Sequence, residues 1–378
     1  MLLMGILTGL IVLVVLIVVH ELGHAIVARR NGVVVEEFGI GFPPKAWGKK
    51  LKNGVLFTLN WLPLGGFVRL KGEHDAAKGK GTYGAATFWQ KTKILFAGVV
   101  MNWLVAVVLF TILALFGLPK IIPNQFVMAG DGRVEASPLS LVTVVEGSAA
   151  AKAGFEKGDV IISVDDTLVT ASADFIAMTR KNAGETVKVT YERNGQTHAT
   201  PVSLGDDPSK GVFGAVVGQS ETIHASWSAP IVGVVTTGQL SWETLQGIGG
   251  LLGKLVSGTV QQFSGNEATR DAAKQKLDEV SNSVAGPVGI LGVIFPSAQQ
   301  QGIGQVVLLT AVISLTLAVM NALPIPALDG GRWWTMAVFR VLRKKLTKER
   351  EETIQGIGML VLFGLIILIT VSDVLKLW

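Results

Sequence analysis

The 378 residues include no cysteine, which excludes disulfide staples, thiolate metal ligands and a cysteine nucleophile together. Charge is scarce as well. Asp, Glu, Lys and Arg make up 16% of the chain, against roughly 25% in an average soluble domain. Histidine occurs 5 times, so a metal would have to be held by a few imidazoles and by carboxylates. Apolar residues are abundant instead: 49% are hydrophobic and mean hydropathy is +0.49, which excludes a purely soluble chain. The net charge of +5 is compatible with nucleic acid, an anionic membrane surface or loop asymmetry, and only the placement of the charges separates these.

The apolar residues are gathered in four runs long enough for the about 20 residues that a bilayer crossing takes. They are Met1–Val19 (continuing to Ala28 past one interruption), Ile94–Leu118, Val306–Leu328 and Thr353–Ser372. The first has neither a basic leading segment nor a small-x-small cleavage site, so it reads as a retained span rather than a signal peptide. Loop Arg29–Lys93 holds 12 Lys and Arg against 4 acids, and Asp329–Glu352 holds 7 against 4. The long stretch Pro119–Gln305 holds 13 against 18. Positive loops stay inside, so the long stretch and both termini are expected outside. Topology accounts for the basic balance, and nucleic acid is not needed as a partner.

The outer stretch contains one soluble pattern. Leu141–Val145 alternates like a strand, Gly147–Ala150 opens a short helix ending at Gly154, and Val160–Val164 is a second strand. Ser172–Lys181 reads as a helix, and Thr186–Arg193 with Thr197–Leu204 as a hairpin around Asn194-Gly195. The run GSAAAKAGFEKGDVIISVD resembles a PDZ domain, placed at 139–204. Beyond it, Trp227–Val260 reads as one or two amphipathic helices on the membrane surface, and Ser264–Ser283 as a solvated helix or loop.

The chemistry is concentrated in His20-Glu21-Leu22-Gly23-His24, an HExxH motif on a predicted helix. Residues four apart share a helix face, so both imidazoles can reach one ion, with Glu21 between them to act on water. Ionisable residues inside an apolar span are costly and are functional candidates by default. With Arg29-Arg30 at the inner interface, His24 and His20 lie roughly 7 to 14 Å below it at 1.5 Å per residue. A catalytic zinc takes three protein ligands and keeps one open position. Asp329, at the end of the third span in NALPIPALDGGR, is three residues from Arg332 and so at a similar depth. His74 on the inner loop is the alternative, most simply a solvated turn. Pro324 and Pro326 would break the helix just before Asp329. On the inner loop, Gly54–Trp61 and Gly66–Leu70 read as two strands around Leu62–Gly65.

HELGH near the end of the first span, one PDZ pattern, Gly286-Pro287-Val288-Gly289-Ile290 and NALPIPALDGG together resemble the site-2 proteases, the intramembrane zinc metalloproteases. The resemblance covers nearly the whole chain. It departs from the enterobacterial sigma-E-regulating members, which have two PDZ domains. It implies Zn2+ held by His20, His24 and Asp329, Glu21 as general base, and Asn321 positioning substrate or stabilising the oxyanion. Pro324 and Pro326 would help position substrate too. It also implies that the inner hairpin is re-entrant, so that an edge at Gly66, Phe67 and Val68 could pair with an unwound substrate. The expected fold is an α-helical polytopic membrane protein with four transmembrane helices, a re-entrant β-hairpin and one extracytoplasmic α+β PDZ domain.

The expected boundaries are 1–118 for the first two spans with the inner loop, 119–138 for a linker, and 139–204 for the PDZ unit. Surface helices and linker follow at 205–304, and the last two spans at 305–378. Expected partners are the lipid bilayer and precut single-span membrane proteins, such as anti-sigma factors or signal-peptide remnants, in a bacterial plasma membrane. The PDZ unit could dock substrates or filter them by size. A non-enzymatic membrane scaffold would predict no metal. A zinc transporter would predict further ionisable groups along the spans, and none lies between Ile94 and Leu118 or Thr353 and Ser372.

Overall fold

A computed structural model describes residues 2–207 and 211–377. The chain divides into two compact units, Met1–Leu115 with Trp227–Trp378, and Phe116–Ser226.

In the first unit, helix α1 (Leu2–Arg30) carries the HExxH run in its last third and ends on Arg29 and Arg30. Strands β1 (Val35–Lys50) and β2 (Leu56–Leu70) follow, then helix α2 (Phe88–Phe116). At 29 residues each, α1 and α2 run about 43 Å at 1.5 Å per residue, more than the roughly 30 Å of hydrocarbon in a bilayer.

The inner loop differs from the two short strands expected of it. Leu56–Trp61 and Gly66–Leu70 belong to one long strand, β2, with Gly54 in the turn before it, and β2 pairs with β1, a strand not anticipated. Both strands fold back on themselves, so two strands make four rows. Lys45–Lys50 lies against Leu56–Asn60, which lies beside Glu37–Ile40, which in turn pairs with Gly66–Arg69. The buried Glu37 is the pin: its carboxylate accepts from Thr58 Oγ1 at 2.9 Å and pairs with Arg69 at 2.5 Å, one partner from each flanking row. Gly66–Leu70 is left as an outer row.

The described residues of the second unit form two sheets. Strands β3 (Leu118–Pro119) and β4 (Arg133–Ala136) flank β11 (Glu221–His224), while β5 (Ser140–Val144), β6 (Val160–Val164), β8 (Thr186–Arg193), β9 (Gln196–Ser203) and β10 (Ala215–Gly218) form the larger one in the order β10-β5-β6-β8-β9. The short strand β7 (Thr167–Leu168) pairs with β6, and helices α3 (Ala149–Lys152) and α4 (Ser172–Lys181) complete the unit. Ser148 caps α3 by accepting from Ala151 N–H at 3.2 Å. Asn194 and Gly195 both have positive φ, 53° and 78°, the backbone that a two-residue hairpin turn demands.

Alternating burial on β8 sends Val187, Val189 and Tyr191 into a core with Phe155, Phe175 and Phe213. Their rings meet at 4.5 to 5.3 Å between centroids. This unit is wider than 139–204 because β10 extends the sheet beyond Leu204, and because 119–138 supplies β4 rather than a plain linker. The orphaned ends of a sheet recruit such distant strands through backbone hydrogen bonds, which leave little trace in composition.

Returning to the first unit, α5 (Ala229–Gln262) is one continuous helix of 34 residues, and α6 (Glu267–Ser283) is capped by Asn266. A short α7 (Pro287–Gly289) continues through a wider turn, Ile290–Ile294, into α8 (Phe295–Gln301), followed by α9 (Ile303–Ala322). The third span therefore stops at Ala322, six residues before Leu328. Leu323–Leu328 is a non-helical connection, and Asp329 begins a separate helix, α10 (Asp329–Val341), before α11 (Lys348–Leu377). Pro324 and Pro326 explain the break, since neither can donate to a helical ladder. Among the described residues, four helices, α1, α2, α9 and α11, are long and apolar enough to cross a membrane.

Candidate active site

The two imidazoles sit one turn apart on α1, and α2 packs directly over them. His20 and His24 are each 8% exposed. The α2 face that receives them is Ile94, Gly98 and Asn102, spaced four apart and hence stacked along one side of the helix. Gly98 is required by closeness: a Cβ there would stand 2.5 Å from His24 Nε2 and 2.6 Å from His20 Nε2. The Ile94 carbonyl is 2.7 Å from His24 Nδ1. A carbonyl can only accept, so Nδ1 carries the hydrogen, which makes Nε2 the available lone pair in the neutral ring.

Asp329 arrives from the other end of the sequence. Its Oδ2 is 3.0 Å from His20 Nε2 and 3.3 Å from His24 Nε2, and the two Nε2 atoms are 3.1 Å apart. Three ligand atoms in tetrahedral order about 2.0 Å from a zinc ion would stand about 3.3 Å from one another. The donor set fits a cation: two imidazole lone pairs and a carboxylate converge with no donor among them. Among the described residues, this trio is the group of His and acid side chains gathered closely enough to hold an ion. His74 lines the neighbouring cavity but is not part of it.

The connection Leu323–Leu328 delivers Asp329 to this point. Ala327 has φ +77°, a conformation that costs a non-glycine residue energy. Its amide donates to Gln355 Oε1 on α11 at 2.6 Å. Gly330 and Gly331 lie under the carbonyls of Ala322, Leu323 and Ile325, so close that no side chain could be placed there. The two glycines after Asp329 thus let the chain fold tightly over the start of α10.

Glu21 lines a cavity of about 480 Å³ together with His24, Phe67, Val68 and Asp329. The outer row of the inner sheet forms its wall, and a Cβ added at Gly66 would lie 3.6 Å from Glu21 Cγ. Phe67 and Val68 therefore border the same space as the carboxylate. Asn321 is half-buried on the last turn of α9, and neither it nor Pro324 or Pro326 lines the cavity. Pro326 instead abuts Gly358 on α11.

A second polar group sits at the far wall of the cavity and was not anticipated. Arg332, one turn beyond Asp329, donates to Glu73 Oε1 at 2.9 Å, to the Glu73 carbonyl, and to Glu351 Oε1 at 3.1 Å. Its guanidinium lies 4.9 Å from the centre of the buried Tyr83 ring. Burial works against the charge, yet Tyr83, Glu73 and Glu351 hold the proton on Arg332 more firmly than usual. Burial likewise pushes the Tyr83 hydroxyl above its ordinary range. Glu73 also accepts from Leu70 N–H at 3.2 Å. Arg332 therefore ties the end of the outer row to α10 and α11. Three of these residues are remote in sequence, so only the position of Arg332 beside LDGG could have hinted at the group.

The family model for peptidase family M50 matches residues 8–365. A zinc metalloprotease relative from Clostridium perfringens is 30% identical, covering 98% of this chain and 99% of its own length. One from Agrobacterium fabrum is 28% identical over 98% and 97%. The regulator of sigma-W protease RasP of Bacillus subtilis is 26% identical over 96% of each. Among solved structures, the PDZ domain of an SdrC-like protein from Listeria monocytogenes aligns with 21% of this chain and 86% of its own, at 23% identity and TM-score 0.20. The chain belongs to peptidase family M50, the site-2 protease family, and is a membrane zinc metalloprotease.

Proposed function

We propose that this enzyme hydrolyses a peptide bond in or near the membrane segment of precut single-span proteins, with zinc held by His20, His24 and Asp329. The observation that carries the reading is the convergence of those three ligand atoms beside Glu21 and the outer row Gly66–Leu70. Bound zinc supplies Lewis acidity, which makes water a nucleophile near neutral pH and polarises a carbonyl. Glu21 takes a proton from the attacking water as the new C–O bond forms. The same carboxylate returns that proton to the amide nitrogen as the C–N bond breaks. Among the described residues, the Glu21 carboxylate makes no hydrogen bond to the protein, so it is available to water.

A helical substrate hides its peptide bonds and must be extended before cleavage. The row at Gly66, Phe67 and Val68 is the element that would hold it, by strand addition. Exposed Phe42, Trp47, Trp61 and Leu62 on the same sheet suit a re-entrant hairpin dipping into lipid. Asn321, Pro324 and Pro326 would support positioning from outside the cavity wall.

The inside-positive charge pattern supports a plasma membrane orientation with the zinc site toward the cytoplasm and the unit Phe116–Ser226 outside. There the unit, PDZ-like in sequence, would dock or filter substrates, while α5, whose Gly233 and Ser241 lie against Thr111 and Trp103 of α2, would run beside that span rather than along the membrane surface. The name of the Bacillus relative, a regulator of sigma-W protease, supports anti-sigma factors as a substrate class, with signal-peptide remnants a second one. The test is Glu21→Gln: the purified variant should keep zinc and lose cleavage of a single-span reporter. An active variant would end the assignment.

A further inference from the structure

We propose that Asn102 of α2 is the positioning residue for His20, accepting a hydrogen bond from its Nδ1–H and so fixing which nitrogen faces the metal. Asn102 is 1% exposed. In the structure its Nδ2 faces His20 Nδ1 at 3.4 Å, and its Oδ1 is buried without a partner.

The chemistry of the metal site decides the orientation of this amide. His20 Nε2 is the atom that meets Asp329 and His24, so Nε2 must supply the lone pair. In a neutral imidazole the other nitrogen then carries the hydrogen. An amide N–H facing that ring N–H would be donor against donor, with Oδ1 unmet besides. Oxygen and nitrogen of a carboxamide exchange places by a half-turn, with almost no change in shape. That half-turn gives His20 Nδ1–H an acceptor and leaves one unmet group where there were three.

The neighbouring ligand offers the precedent within the same molecule. His24 Nδ1 meets the Ile94 carbonyl at 2.7 Å, an acceptor from the same face of α2, eight residues earlier. Each histidine would thus have its rear nitrogen held by α2, with Gly98 between the two acceptors to let the rings approach. Asn102 is itself anchored: its backbone carbonyl accepts from Ser314 Oγ on α9 at 2.8 Å. This pins the acceptor against α9, the helix that leads to the Asp329 connection. Outer partners of metal-ligating histidines fix the tautomer and the ring plane, and losing one typically weakens metal binding about 10- to 100-fold.

The proposal rests on His20, His24 and Asp329 as ligands, and the experiment separates the two. Zinc affinity of the full chain in detergent is measured by competition with a calibrated chelator, for wild type, Asn102→Leu, Asn102→Asp and His20→Ala. Asn102→Leu should bind zinc about 10- to 100-fold more weakly. Asn102→Asp, which keeps an acceptor oxygen, should bind within a few-fold of wild type or tighter. The visible spectrum of the Co2+-substituted protein should shift in Asn102→Leu and stay close to wild type in Asn102→Asp. Wild-type affinity in Asn102→Leu, or an Asp variant as weak as the Leu variant, would overturn the role of Asn102. If His20→Ala also kept full affinity, the ligand assignment itself would fall. Should the Leu variant fail to fold, the Asp variant decides alone, because a tenfold loss there contradicts an acceptor role.

Discussion

Adding one methyl group at Gly98 should dismantle the proposed metal site without weakening the helix that carries it. The Cβ of Gly98→Ala would lie 2.5 Å from His24 Nε2, 2.6 Å from His20 Cε1 and 2.6 Å from His20 Nε2. Ordinary contacts between such atoms are about 3.5 Å or more, so the rings must retreat by about 1 Å. The overpacking itself costs typically about 1–3 kcal/mol, while alanine favours a helix over glycine by about 1 kcal/mol. The fold should therefore survive nearly intact. The site should not, since two of its three ligand atoms are pushed from positions 3.0 to 3.3 Å from the third. A misplacement of this size costs on the order of 100-fold in rate. The assay is zinc per polypeptide after chelator challenge, with cleavage of a single-span reporter and thermal unfolding in detergent measured in parallel. The expected outcome is at least a tenfold loss of zinc affinity and about a hundredfold loss of cleavage, with unfolding shifted by only a few degrees. A variant that kept full zinc and activity within threefold would refute the packing argument.

Other consequences follow from the same geometry. Arg332→Met leaves Glu73 and Glu351 facing each other unpaired, and loss of one partner of a buried pair costs about 3–5 kcal/mol. Its unfolding temperature should fall, cleavage should drop more than zinc content, and adding Glu73→Gln should recover part of the stability. In the second unit, Arg193 grips Asp159 through Nε at 2.6 Å and Nη2 at 2.7 Å. Burial would raise the Asp159 carboxyl, but these bonds and the Glu156 amide outweigh it and hold it below its usual value. The pair therefore stabilises the unit fully above about pH 4, the unfolded carboxyl value, and the contribution is lost as pH falls through the lower folded value. Hydrogen exchange of β6 and β8 in the full chain should show protection falling below about pH 4 in wild type, and protection already reduced at neutral pH in Asp159→Asn, by about 3 kcal/mol.

Much of this was legible in the sequence because it depends on periodicity and on cost. Long uncharged runs have few alternatives to membrane helices, and an HExxH run inside one of them stands out because burying His20, Glu21 and His24 is expensive. The strands of the second unit alternate, and Asn194-Gly195 marks its turn. What escaped was set by tertiary pairing. Nothing in Val35–Lys50 alternates clearly enough to announce β1, whose rows are held by β2 and by the Glu37 pin. Asn102 carries no charge, so a search for ionisable groups in the second span passes over it, and its neighbour Ile94 contributes only a carbonyl. Pro324 and Pro326 marked a break before Asp329, but the end of α9 at Ala322, the positive φ of Ala327 and the start of α10 at Asp329 were not visible. They depend on Gln355 and on the space that Gly330 and Gly331 leave.

On the proposed mechanism two residues of α1 and one of α10, 309 positions apart from His20 to Asp329, share one ion. Zinc per polypeptide in purified wild type, His20→Ala and Asp329→Ala tests it most directly. One zinc is expected in the wild type, and less than a tenth of that in both variants after chelator challenge, given the minimum of three protein ligands. Full zinc retention in Asp329→Ala would contradict it.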